Sequence, residues 1–109
     1  MEHLARSLPY IQMLQKTHDR NKMRLLKTMP KYVVHDIVEV LTNILEDRCE
    51  CPRRFKGYIN KHEKKITDLV DQKTKKGRET VMYKQRGGGA FLGLLLPAIS
   101  AVVSGLLAR

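Results

Sequence analysis

The chain has 109 residues, 21 Lys and Arg against 11 Asp and Glu, a net charge of +10, two cysteines and no tryptophan. That length holds one domain and a tail rather than two cores. The charge asks for an anionic partner, nucleic acid or acidic lipid, and the scarcity of aromatics argues against a reader that stacks single-stranded bases on exposed rings.

The opening MEHLARSLPYIQ has no sustained apolar run and no small-residue cleavage site, so no secretory signal is expected. Leu4, Leu8, Ile11 and Leu14 recur at helical spacing, with Pro9 expected to break or kink the segment. Met23, Leu25, Leu26 and Met29 mark a second short helix that must end near Pro30. The clearest helix runs from about Tyr32 to Asp47. Val33, Val34, Ile37, Val38, Leu41, Ile44 and Leu45 form its wide apolar face, with Asp36, Glu39 and Asp47 expected off it. Its β-branched content suits a strand as well, but its length selects helix.

Cys49-Glu50-Cys51-Pro52 closes that element. Cysteines one residue apart rarely meet disulfide geometry, which points to a reducing compartment or an intermolecular thiol. A partner helix from about Arg54 to Gln72 places Phe55, Tyr58, Ile59, His62, Ile66, Leu69 and Val70 on one side and Lys56, Lys61, Lys64 and Lys65 on the other. The pair reads as an antiparallel αα-hairpin. The run Lys73 to Arg78 around Gly77 reads as a basic linker. The expected fold is all-α: a basic helical domain over 1–78 with the hairpin at about 32–72, a basic glycine-rich hinge at 79–89, and a hydrophobic helix at 90–109.

Charge divides the same way. Residues 1–51 carry eight Lys/Arg against seven acids, 52–86 carry twelve against four, and 87–109 carry only Arg109. The basic block Arg53, Arg54, Lys56, Lys61, Lys64, Lys65, Lys73, Lys75, Lys76, Arg78, Lys84 and Arg86 is the candidate polyanion-binding surface, suited to phosphate contact without base reading. Its charge does not separate DNA from anionic lipid as the partner.

The tail GGGAFLGLLLPAISAVVSGLLAR has no charge before its last residue. As a helix, Gly89–Ala108 is roughly 30 Å long at about 1.5 Å per residue, the thickness of bilayer hydrocarbon. Phe91, Leu92, Leu94, Leu95, Leu96, Ile99, Val102, Val103, Leu106 and Leu107 are the candidate membrane-contacting side chains, and Pro97 is expected to kink the helix. Gly89, Gly93, Pro97, Ala101 and Gly105, with Ser100 and Ser104, form a small-residue face that permits close helix–helix approach and hence a homo-oligomer. Lys84, Arg86 and Arg109 bracket the segment as headgroup anchors. The competing reading is a core helix packed on the hairpin, or one masked in one state and released in another.

Gln85-Arg86-Gly87-Gly88-Gly89 resembles the recognition pattern of adenovirus-type maturation proteases. Consecutive glycines are expected to stop helix and leave a thin extended backbone for a narrow cleft. Gln85, Gly87, Gly88 and Gly89 are then the cleavage residues, with the cut between Gly88 and Gly89. The same junction, Lys84-Gln85-Arg86-Gly87-Gly88, and the Phe91–Leu107 tail resemble small virion proteins of adenovirus-like elements, of the adintovirus and Polinton type. The order is similar to that of the adenovirus small core protein precursor. Met29-Pro30-Lys31, the Ile44-Leu45 helix end and the Lys-rich second helix resemble the group more loosely. Leu96-Pro97-Ala98-Ile99-Ser100 is similar to the centre of melittin-type lytic peptides. The resemblance implies a virion protein that works beside capsid proteins, binds DNA non-specifically, is cut by a maturation protease, and meets a host membrane or the nucleus during infection. The departure is a Lys-rich helical pair where the core protein has an Arg-dense disordered peptide.

No spacing singles out a nucleophile and base, and the glycine triplet lacks the Lys-Ser/Thr of a phosphate loop, so no enzyme activity and no cofactor are expected. Cys49, Cys51 and His62 lack a fourth metal ligand at a convincing spacing, and no metal site is expected. His35 and His62 are expected in the hairpin interface. The alternative function is a tail-anchored membrane adaptor with its basic hairpin facing the cytoplasm.

Overall fold

The computed structural model describes residues 2–74, 76–78 and 88–107, with side chains of the last segment from Leu92 onward. The fold is all-α, as the periodicity demands. A 3₁₀ helix, Glu2–Ser7, runs into α1, Leu8–Lys16. Pro9 neither breaks nor interrupts this segment, because it falls in the first turn of α1, where a missing N–H has no intrahelical acceptor to lose. Helix α2, Asp19–Thr28, ends at Met29 ahead of Pro30, and α3 spans Lys31–Leu45.

The end of α3 is a Schellman turn. Asp47 has φ of 55°, its N–H bonds the Ile44 carbonyl at 3.2 Å, and the Arg48 N–H bonds the Asn43 carbonyl at 2.8 Å. Aspartate tolerates this left-handed conformation better than most residues. The stretch expected as one partner helix is two: α4, Arg53–Lys61, and α5, Glu63–Val70, broken at His62 (φ −107°, ψ 21°). The break lets α4 lie on the last helix as well as on α3, while α5 lies on α3.

That last helix, α6, Gly88–Leu107, corrects the reading of the tail. It is the centre of the core. It packs on the 3₁₀ helix, α1, α2, α3 and α4. Leu92, Leu95, Leu96, Ala98, Ile99, Val102 and Val103 are buried among Leu4, Ile11, Leu14, Met23, Leu26 and the apolar face of α3. Of the side chains expected to contact lipid, only Leu94, Pro97 and Leu107 are exposed, Leu106 is half-buried, and the Phe91 side chain lies outside the described residues. Among the described residues no helix is long and apolar enough to cross a membrane.

The physical reason is the N-terminal third. Its two short amphipathic helices offer the apolar surface that a hairpin alone lacks, and burial at about 25 cal/mol per Å² draws α6 inside. The small-residue face is divided. Gly93 lies against the α2 N-terminus, where a Cβ would sit 2.7 Å from Asp19 Oδ1, whereas Ser104 and Gly105 are exposed.

Candidate polyanion-binding face

The basic block does not act as one surface. Arg53 and Arg54 stand exposed on the first turn of α4, the Arg54 guanidinium 4.6 Å from the Phe55 ring centroid. Lys61, Lys64, Lys65 and Lys73 are exposed. None of these six forms an ion pair among the described residues. Lys56 is withdrawn from the set: it is half-buried and held by Asp47, whose carboxylate raises its pKa. Arg78 is half-buried too; its Nε donates to the Gln72 carbonyl at 2.8 Å, and burial lowers its pKa. Lys76 is exposed, while Lys75, Lys84 and Arg86 lie outside the described residues. Glu63, Asp68 and Asp71 are exposed along α5 and its end, so the local excess of charge is moderate.

A second basic stripe escaped the division of the chain at residue 51. Between His3 and His35 there are seven Lys/Arg and a single acid, Asp19. The acids that made the first half look neutral, Asp36, Glu39, Glu46, Asp47 and Glu50, all follow. On α2, Arg20, Arg24 and Lys27 recur at helical spacing and are exposed, with Lys16 and Lys31 exposed just beyond either end. Asp19 does not neutralise them, because it is engaged by the buried Lys22 at 3.0 Å. Lys22 also donates to the Thr17 carbonyl. A sliding charge window narrower than half the chain finds this stripe.

The remaining polar clusters are structural. Asp36, expected off the apolar face of α3, is fully buried and accepts from Arg6 Nε at 3.0 Å, Arg6 Nη2 at 2.9 Å and Ser7 Oγ at 2.5 Å. Burial works to raise its pKa, but the bonds from Arg6 and Ser7 and the charge of Arg6 outweigh it and hold the carboxylate below its ordinary value. Arg6 lies 4.6 Å from the Tyr32 ring centroid, and Tyr32 meets Tyr10 edge-on. His3 joins Glu39 at 2.6 Å beside this network. Together these groups fasten the 3₁₀ helix to α3.

His3, Asp36 and Glu39 bring three ligand-type atoms within 4.8 Å of one another. Both Asp36 oxygens already accept from Arg6 and Ser7, so an ion would have to displace a guanidinium. Cys49, Cys51 and His62 do not gather among the described residues. Neither cysteine forms a disulfide among the described residues and both are half-buried; burial pushes the Cys51 thiol up, against a smaller opposing pull from Lys56. His35 is exposed rather than in the hairpin interface; it lines a shallow groove of about 510 Å³ with His3, Glu39, Asn43, Arg48 and Arg78. The half-buried His62 ring meets that of Tyr58 at a tilt of 47°, with ring centroids 4.5 Å apart.

Gly88 and Gly89 form the first turn of α6 rather than an extended segment, and Gln85 and Gly87 lie outside the described residues. Glycine's permissive backbone accepts helix when the following turns are held by a core. A protease needing an extended Gly88–Gly89 bond must first unwind that turn. No family model, curated protein or solved structure matches the chain.

Proposed function

We propose that this protein is a non-enzymatic binder of duplex DNA that holds the phosphate backbone with the exposed cations of α4, α5 and the segment after them. The observation that carries the reading is a set of six exposed cations, Arg53, Arg54, Lys61, Lys64, Lys65 and Lys73, that form no ion pair among the described residues, in a chain of net charge +10. Arginines and lysines on exposed helix bind phosphate oxygens as point charges or forks, and such contact is salt-dependent and indifferent to sequence. DNA is favoured over anionic lipid because the apolar side chains that would insert between lipids are committed to the core. A place inside a virion, against capsid proteins, follows from the resemblance of the Lys84–Gly88 junction and is part of the proposal.

The test is a fluorescence-anisotropy titration of a labelled duplex with the full chain across a salt series. Binding whose logarithm falls linearly with log salt, by about 0.9 per phosphate contact, is expected. Lys61→Gln/Lys64→Gln/Lys65→Gln should flatten that slope by about 2 to 3. Absence of binding at low salt, or preference for anionic vesicles at equal phosphate, refutes the DNA assignment.

A further inference from the structure

We infer that the molecule carries two separate phosphate-binding faces and joins two DNA duplexes at once; the inference rests on the proposed DNA binding and extends it to valency. The first face is that of α4 and α5. The second is the α2 stripe, where Arg20 and Arg24 are exposed one turn apart and form no ion pair among the described residues. Arginine presents a planar fork that matches two phosphate oxygens, and it sheds its water more readily than lysine, so this pair is chemically suited to a backbone contact.

The two faces stand on helices that do not pack on each other. Helix α2 rests on α6 and α1, whereas α5 rests on α3 and α4, and no substantial interface joins α2 to α4 or α5. Helix α5 reaches α6 through α3, while α4, which carries Arg53 and Arg54, packs on α6 directly, as α2 does. Packed helix axes lie about 8–10 Å apart, so α2 and α4 stand up to about 16–20 Å apart across α6, and α2 and α5 up to about 24–30 Å apart across α6 and α3, in a body measuring 32 × 27 × 25 Å. A duplex seated on one face leaves the other free. Moreover, the stretch of chain between the two blocks, Asp36–Glu50, holds five acids and one Arg, with Glu46, Asp47 and Glu50 exposed. Along the chain the positive charge is therefore interrupted rather than continuous.

The experiment is a capture assay with the full chain. One duplex is immobilised on beads, the protein is added, excess is washed away, and a second, labelled duplex is offered. Anisotropy with the same short duplex in solution measures single-face binding. The wild-type chain should capture the labelled duplex. Arg20→Gln/Arg24→Gln should keep solution binding within about threefold yet lose most of the capture, whereas Lys61→Gln/Lys64→Gln/Lys65→Gln should weaken solution binding and lose the capture with it. All these side chains are exposed, and circular dichroism verifies that the variants fold. Capture retained at the wild-type level by the α2 variant overturns the inference, since bridging then proceeds through pairing of chains or through one face. Solution binding without any wild-type capture also overturns it, while leaving the proposed DNA binding intact. No solution binding by the wild-type chain overturns both.

Discussion

Shortening Ile99 to alanine separates a core helix from a tail. Ile99 is fully buried near the middle of α6, a helix that packs on α1, α2 and α3. The change removes three carbons. At about 0.8 kcal/mol each the lost transfer energy is about 2.4 kcal/mol, and a residual cavity of about 60 Å³ adds about 1.4 kcal/mol at 24 cal/mol per Å³. The sum, about 4 kcal/mol, is a large part of the 5–15 kcal/mol that holds a typical domain of this size together. Because a change of 1 kcal/mol moves Tm by about 4–8 °C in a small domain, the melting point should fall by about 15–30 °C. The control is Leu94→Ala on the same helix, a residue 56% exposed, which should change stability by no more than about 0.5 kcal/mol. Urea denaturation of the full chain followed by circular dichroism measures both. If Ile99→Ala and Leu94→Ala are equally mild, α6 contributes nothing to the core and the packing described above is wrong.

Three further outcomes follow from particular contacts. Asp36 has its pKa held below the unfolded value of about 3.9, so the stability it contributes is complete above that pH and disappears as pH falls through the lower folded value. Asp36→Asn should be the less stable protein at pH 6, with the gap closing below about pH 4 in melts taken across pH. The Tyr58 hydroxyl is buried with no hydrogen-bond partner among the described residues, and burial raises its pKa; Tyr58→Phe should therefore stabilise the fold by about 1 kcal/mol, and a loss of stability would reveal a partner for that hydroxyl. Because Asp47 closes α3 with a positive φ, Asp47→Gly should exceed Asp47→Ala in stability by about 1 kcal/mol. Both variants lack the carboxylate, so the difference in their denaturation midpoints isolates the backbone.

Much of the helical layout was legible because its signals are local. The i, i+3, i+4 spacing of Val33, Val34, Ile37, Val38 and Leu41 marks a buried helix face whatever packs on it, and Pro30 ends α2 through its own ring geometry. Three positions escaped local reading. Pro9 is a breaker by type and harmless by position. His62 interrupts a helix whose periodicity runs on across it, because α4 and α5 satisfy different neighbours. Asp36 looks like a solvent-facing acid until Arg6 and Ser7, some thirty residues earlier, are brought to it. On the candidate site, the exposure of Arg53, Arg54, Lys61, Lys64, Lys65 and Lys73 agreed with the spacing. The capture of Lys56 by Asp47 did not follow from it, and the α2 stripe was hidden by averaging with acids that come later in the chain.

By itself the sequence determined the helical character, the sign and segregation of the charge, and the presence of one segment that prefers an apolar medium to water. It did not determine which medium. An uncharged helix gains free energy by leaving water whether it enters lipid or protein, since both remove the same apolar area from solvent. Only the tertiary structure decided between them, by turning the apolar faces of α1, α2 and α3 onto the same side chains of α6.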